Sequence, residues 1–238
     1  MKRKAFKAAL PYTLPVFLGY LFLGVAFGVL LTTQGFPAWL AVVMSLAIYA
    51  GSGQFVAIGL LTAPFHPLNA VAVTLAVNAR HLFYGLSILD KVKEMGKRRW
   101  YVAFALTDET YSLLCSVEPP PETDKNWFLF FISLLNHGYW IFGSALGAVA
   151  GSVLRFDATG IEFAMTALFI VIFVEQWESA KSRIPALLGL AVTALCLWLA
   201  GPDRFIICAM IGIFLSLTAL RGRLEASVTA AGKKEAAQ

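Results

Sequence analysis

Charge is scarce in this chain: 14% of its 238 residues are Asp, Glu, Lys or Arg, while 59% are apolar. That leaves too little polar surface to cover a soluble globule. A mean hydropathy of +0.74 places the chain among all-α polytopic membrane proteins. Cysteine is nearly absent as well. Cys115, Cys196 and Cys208 have no paired spacing and lie in or beside apolar runs, so neither a disulfide framework nor a zinc site is indicated, and they read as small packing residues. The three histidines, His66, His81 and His137, fall in different segments without ligand spacing, so the expectation is no metal and no cofactor. The few charges are clustered near the N-terminus, in residues 91–99 and at the C-terminus, for a net +5. This reads as topological bias and not as a nucleic-acid surface. Lys2 to Lys7 before an apolar stretch imitates a signal peptide, but the run over 10–31 is longer than an ordinary h-region and no cleavage pattern follows, so the first helix is expected to be retained.

Against that scarcity, Asn78-Ala79-Arg80-His81 puts a cation deep inside the apolar run 67–89. On a helix rising ~1.5 Å per residue, Arg80 lies roughly 15 Å from the basic loop at Lys91, too deep to snorkel and about half of a ~30 Å bilayer core. The next apolar run, 100–117, carries Asp108 and Glu109 about 12 Å beyond the same loop. A helical hairpin would bring the guanidinium and the carboxylates to similar depth.

About eight hydrophobic segments follow from the pattern: 10–31, 36–61, 67–89, 100–117, 127–153, 161–174, 185–200 and 205–220. Gly24 and Gly28 in the first form a GxxxG packing face. Gly51-Ser52-Gly53-Gln54 interrupts the second, either as a broken helix exposing backbone to a substrate, as in discontinuous transporter helices, or as a packing notch with Gln54 bonded to a neighbour. Gly19, Tyr20, Gly24, Ala26 and Gly28 recur 119 positions later as Gly138, Tyr139, Gly143, Ala145 and Gly147, which favours a duplication. The expected domains are a first transmembrane repeat over 1–118, a second over 119–222 and a polar cytoplasmic tail over 223–238. Eight full crossings would leave the loop 91–99 outside, against the positive-inside rule. If segments two and six instead dip in and return, the basic clusters lie inside, the acidic connector 118–126 lies outside, and two three-crossing halves are inverted relative to each other. Both termini are then cytoplasmic.

Intramembrane ionisable groups are functional by default, at ~2.5 kcal/mol or more each on insertion scales. Arg80 could hold a substrate carboxylate while Asp108 or Glu109 binds an ammonium group or a coupling proton; the alternative is a structural ion pair. His81 could relay a proton or simply hydrogen-bond across helices, and His137 with Asn136 supports the same two readings. A different class, an intramembrane serine hydrolase with Ser52 as nucleophile and His81 or His137 as base, leaves Arg80 and Asp108 without a role. The chain is therefore read as a transporter and not an enzyme.

Three motifs together, Gly51-Ser52-Gly53-Gln54-Phe55-Val56-Ala57, Asn78-Ala79-Arg80-His81-Leu82-Phe83-Tyr84-Gly85 and Thr107-Asp108-Glu109-Thr110-Tyr111, resemble in order and spacing the large subunit of bacterial branched-chain amino acid exporters, the AzlC family. The resemblance covers about residues 8–220. It implies an inner-membrane permease exporting leucine, isoleucine and valine, extending to methionine, together with a small AzlD-type membrane subunit. It does not fix which residues touch substrate. Physical inference places Gly51, Ser52, Gly53, Gln54, Asn78, Arg80 and Tyr84 at the substrate and His81, Asp108 and Glu109 in coupling or an ion pair. Either proton exchange or the substrate gradient alone could drive transport; a channel, or a transporter of another small zwitterion, is the membrane alternative.

Overall fold

The computed structural model describes residues 2–64, 66–153, 170, 173, 174, 177, 178, 182–201 and 205–235. Every regular element among them is helical: α1 (Lys2–Thr33), α2 (Ala38–Ala47), α3 (Ser52–Thr62), α4 (Pro67–Val92), a 3-10 turn (Lys93–Met95), α5 (Arg98–Phe104), α6 (Asp108–Ser116), α7 (Lys125–Val153), α8 (Ile184–Ala200) and α9 (Phe205–Glu235). Among the described residues, three stretches, Lys2–Thr33, Pro67–Met95 and Lys125–Val153, are long and apolar enough to cross a membrane. The chain divides into two compact units, Met1–Phe65 with Val77–Met165, and His66–Ala76 with Thr166–Gln238.

The first unit is built on α1 against α7. Small residues make the seam: a Cβ on Gly24 would lie 2.8 Å from Ser144 N, and one on Gly143 would lie 2.7 Å from the Tyr20 carbonyl oxygen. Only glycine lets two backbones come this close. Aromatic edges extend the contact, with Phe6 against Phe131 and Phe17 against Tyr139.

The order of these contacts sets direction. Residue numbers rise together along the seam, from Phe6 with Phe131 through Gly24 with Gly143 to Gly151 with Val29, so α1 and α7 are parallel. Inverted copies would run in opposite directions. The glycines that recur at an offset of 119 therefore meet as a parallel pair, which corrects the expectation of inverted halves for these two helices.

The fourth apolar run is not one continuous helix. It breaks at residues 105–107 into α5, 7 residues, and α6, 9 residues, about 10 and 14 Å long, too short to span a ~30 Å core. Tyr101 and Phe104 of α5 approach His137 of α7, and α6 then leads back down α7, with Thr110 at Asn136 and Leu114 in one apolar cluster with Leu129, Phe128 and Ala5. Both arms open on one end of the unit. That end collects the charges: Lys4 Nζ pairs with Glu122 at 3.3 Å, and Lys2 and Arg98 lie 4.6 and 4.2 Å over the Trp127 ring. The connector 118–126, expected opposite the N-terminus, lies beside it.

The second apolar run is also broken, as its glycines suggested. Residues 48–51 separate α2 from α3, 10 and 11 residues long. Gly51 has φ +40° and Tyr49 φ +44°, a region that only glycine enters without strain. Gln54 on α3 reaches back to Ser45 on α2, and a Cβ on Gly53 would lie 3.1 Å from the Asn78 side chain of α4.

In the second unit α8 packs on α9, a Cβ on Gly212 falling 2.8 Å from Val192 Cγ1. Pro185 opens α8 and Gly201, at φ +72°, closes it. The stretch after Arg221, expected as a polar tail, continues α9 to Glu235; its alanines, with Leu224 and Lys233, are strong helix formers. The sixth apolar segment, 161–174, falls largely outside the described residues.

Candidate functional site

Two helices begin in the middle of the first unit, and Arg80 of α4 joins their starts. Thr107 caps α6, its Oγ1 accepting from Thr110 N at 3.2 Å, and Asp108 and Glu109 occupy the first turn, where the helix dipole favours anions. Ser52 is the first residue of α3, whose first turn holds no acid. Arg80 Nη1 lies 2.8 Å from Asp108 Oδ2, and Arg80 Nη2 donates to Ser52 Oγ at 2.8 Å. Tyr84, one helical turn beyond Arg80, donates its hydroxyl to the other Asp108 oxygen. The Arg80 and Asp108 side chains keep 23% and 30% of their surface exposed, so the pair is bonded yet still reachable. Arg80 Nε is buried with no acceptor, leaving one donor unused.

Beside this pair lies a cavity of about 280 Å³ lined by Ile48, Tyr49, Ala50, Asn78, His81, Ala103, Phe104 and Leu106. It is close to the lower size of small-molecule pockets, ~300 Å³. Its walls come from the two chain breaks, from the end of α5 and from α4, and they are mostly apolar.

The residues singled out from the sequence separate into groups. Gly51, Ser52, Gly53, Asn78, Arg80, Tyr84 and Asp108 come together at the junction. His81 lines the cavity, its Nδ1 3.1 Å from the Asn78 carbonyl oxygen and its ring edge-on to Tyr84. Gln54 does not face the cavity. It is fully buried, with Oε1 accepting from Trp140 Nε1 at 2.8 Å and Nε2 donating to Ser45 Oγ at 3.3 Å; it ties α3 to α2 and α7. Glu109 points away from Arg80 and accepts from Tyr20 at 2.8 Å. Ser52 bonds Arg80, while His81 bonds Asn78 and His137 bonds Tyr101 and the Ser45 carbonyl, so the serine and histidine of the hydrolase reading are not brought together.

Sequence reasoning missed Tyr20, Tyr49, Thr107, Thr110 and Trp140 as parts of this centre. Tyr20 and Trp140 are buried, and a buried Tyr or Trp needs a partner for its polar atom. Their isolation in apolar runs was a signal, though one that names no partner.

A family model described as AzlC protein matches residues 15–154, a stretch that stops one residue after α7. Over 93% of its length the chain is 48% identical to the branched-chain amino acid transport protein AzlC of Bacillus subtilis (strain 168), covering 87% of that protein. It is 45% identical to an uncharacterized membrane protein of Haemophilus influenzae, over 93% of this chain and 91% of that one. It is 30% identical to the inner membrane protein YgaZ of Escherichia coli (strain K12), over 71% and 72% of the two chains. No solved structure matches the chain.

Proposed function

The chain belongs to the AzlC family of membrane transport proteins, and from that premise we propose that it exports leucine, isoleucine and valine, extending to methionine, across the bacterial inner membrane. It does so with a small AzlD-type membrane subunit. The end that gathers Lys2, Arg3, Lys4, Lys7 and the loop 91–99 faces the cytoplasm, as the positive-inside rule requires, and the C-terminus lies on the same side.

The observation that carries this reading is the Arg80–Asp108 pair at the meeting of two helix starts, beside a mostly apolar cavity. An α-amino acid presents a carboxylate and an ammonium group a short distance apart. Arg80 takes the carboxylate, assisted by Ser52 and by the start of α3; Asp108 turns to the ammonium group with Tyr84 still bonded to it. Each charge exchanges one partner for another, so none is left bare at membrane depth, where an unpaired charge costs at least ~2.5 kcal/mol. The branched side chain lies against Ile48, Ala103, Phe104 and Leu106, with Asn78 and His81 at the polar rim. An apolar pocket separates substrates by only ~1 to 3 kcal/mol per methylene, so the several branched residues are all accepted. Gln54 holds the α2–α3 turn in place and does not contact substrate.

The test is efflux of labelled leucine from preloaded cells carrying the chain with its small subunit. Efflux disappears with Arg80→Ala while the protein remains in the membrane. Undiminished efflux from that variant removes Arg80 from the mechanism; no efflux from the unaltered pair of proteins refutes the substrate assignment.

A further inference from the structure

The two adjacent carboxylates have different surroundings. Asp108 is held by Arg80 and Tyr84. Glu109 has no cation within ion-pair distance among the described residues. Its carboxylate accepts from Tyr20 at 2.8 Å, with Thr107 and its own backbone N–H also in reach, and from Tyr20 a continuous chain leads into the core. Tyr20 Oη lies 2.5 Å from Thr107 Oγ1, Thr107 Oγ1 lies 3.0 Å from Thr110 Oγ1, and Asn136 Nδ2 lies 3.1 Å from Thr110 Oγ1. Tyr20, Thr107, Thr110 and Asn136 are all buried.

Counting protons along this chain gives two arrangements of its hydroxyls. With Glu109 ionised, Tyr20 donates to the carboxylate, so the Tyr20–Thr107 contact takes the Thr107 proton, which the present geometry aims at Thr110; Thr107 turns to Tyr20, Thr110 donates to Thr107 in its place, and the Asn136 amide donates to Thr110. With Glu109 protonated, its O–H donates to Tyr20, Tyr20 to Thr107 and Thr107 to Thr110. Thr110 then needs an acceptor. Asn136 Oδ1 is buried without a partner, and half a turn of the amide brings it to Thr110. The bond from Thr110 N to Thr107 Oγ1 is unchanged in both. Such a chain is polarised as a unit, because each bond strengthens the next.

We propose that Glu109 takes up and releases the coupling proton of transport, at most one per cycle, and that Tyr20, Thr107, Thr110 and Asn136 reverse their hydrogen bonds with it, while Asp108 remains the substrate's partner. This rests on the transport reading given above. The proton binds the carboxylate from water on one side of the membrane and returns to water on the other; no bond to carbon changes. The titratable and charged groups around Glu109 are Tyr20 from α1, Tyr49 from the α2–α3 turn, Asp108 beside it on α6, and Arg80 and Tyr84 of α4, which are engaged with Asp108. On α7 the chain ends at Asn136; His137 next to it is bonded to Tyr101 and the Ser45 carbonyl.

The experiment uses the full chain with its small subunit in vesicles and labelled leucine. Two readouts are compared: leucine exchange at equal pH, which needs no net proton movement, and accumulation driven by a pH gradient. Glu109→Gln keeps exchange and loses accumulation; Thr110→Val, which breaks the chain without removing a charge, slows accumulation several-fold more than exchange. A merely structural role would lower both equally and overturns the proposal, as does full pH-driven accumulation by Glu109→Gln. Infrared spectroscopy of the purified protein across pH gives an independent reading: a protonated-carboxyl band present in the unaltered protein and missing from Glu109→Gln. If the unaltered protein exchanges no leucine, the transport reading fails, and the presence or absence of that band still decides whether Glu109 is a reversible proton site.

Discussion

Substitutions along the α1–α7 seam give a sharply graded outcome. A Cβ on Gly28 would lie 2.7 Å from the Gly147 carbonyl carbon, and one on Gly147 would lie 2.6 Å from Val25 Cα. Carbon atoms attract best at ~3.5 to 4.0 Å, so either methyl group forces the two backbones apart by about 1 Å. A gap of that size forfeits roughly a quarter to a half of each dispersion contact along the seam, and overpacking of this kind costs ~1 to 3 kcal/mol. Gly19 and Gly138 belong to the same recurring pattern, yet a Cβ on either would meet nothing within 4 Å. In denaturant titrations of the purified protein, Gly28→Ala and Gly147→Ala each lose about 1 to 3 kcal/mol, while Gly19→Ala and Gly138→Ala stay within ~0.5 kcal/mol of the unaltered protein. The Gly28→Ala/Gly147→Ala double variant loses less than the sum, because one separation of the helices relieves both clashes. Equal effects at all four glycines would refute the reasoning.

Two other outcomes follow. In a background without Cys115, Cys196 and Cys208, single cysteines at Lys4, Lys97 and Glu122 react with an impermeant reagent from the same side of the membrane, and one at Gly35 reacts from the other; labelling of the Glu122 position from the Gly35 side would contradict the returning α5–α6 pair. Gln54→Leu leaves the Trp140 N–H without an acceptor and costs about 1 to 3 kcal/mol of stability without weakening leucine binding. A selective loss of leucine affinity in a normally stable Gln54→Leu protein would return that side chain to the substrate.

Much of the site was legible because charge is so rare in the chain. Arg80 stood out at a depth where a partner was required, and helix rise alone brought Asp108 level with it; the 2.8 Å contact realises that distance argument. Gly51-Ser52-Gly53 marked a break, and the break lies at residues 48–51, where Gly51 takes a positive φ. Topology was misread at one place. Thr107-Asp108-Glu109 was taken as charge in the middle of a crossing helix, although a threonine followed by two acids is a helix start. Reading it so would have divided the run 100–117 into two short arms, kept the connector 118–126 beside the N-terminus and made the repeated glycine helices parallel. The sequence reading puts Gln54 at the substrate, and Glu109 with Asp108 in coupling or an ion pair, because sequence spacing gives depth but not direction around the helix. Their actual partners, Tyr20 and Trp140, come from α1 and α7, far away in sequence.

The most direct measurement is binding of leucine to the purified protein, set against 4-methylpentanoate, which lacks the ammonium group, and isoamylamine, which lacks the carboxylate. The account predicts that leucine binds at least ~10-fold more tightly than either analogue, since each leaves a charge of the Arg80–Asp108 pair unmatched. Arg80→Ala abolishes the preference for leucine over isoamylamine, and Asp108→Asn abolishes the preference for leucine over 4-methylpentanoate. Unchanged preferences in both variants would mean that the pair only holds α4 to α6, and the site for the amino acid would lie elsewhere.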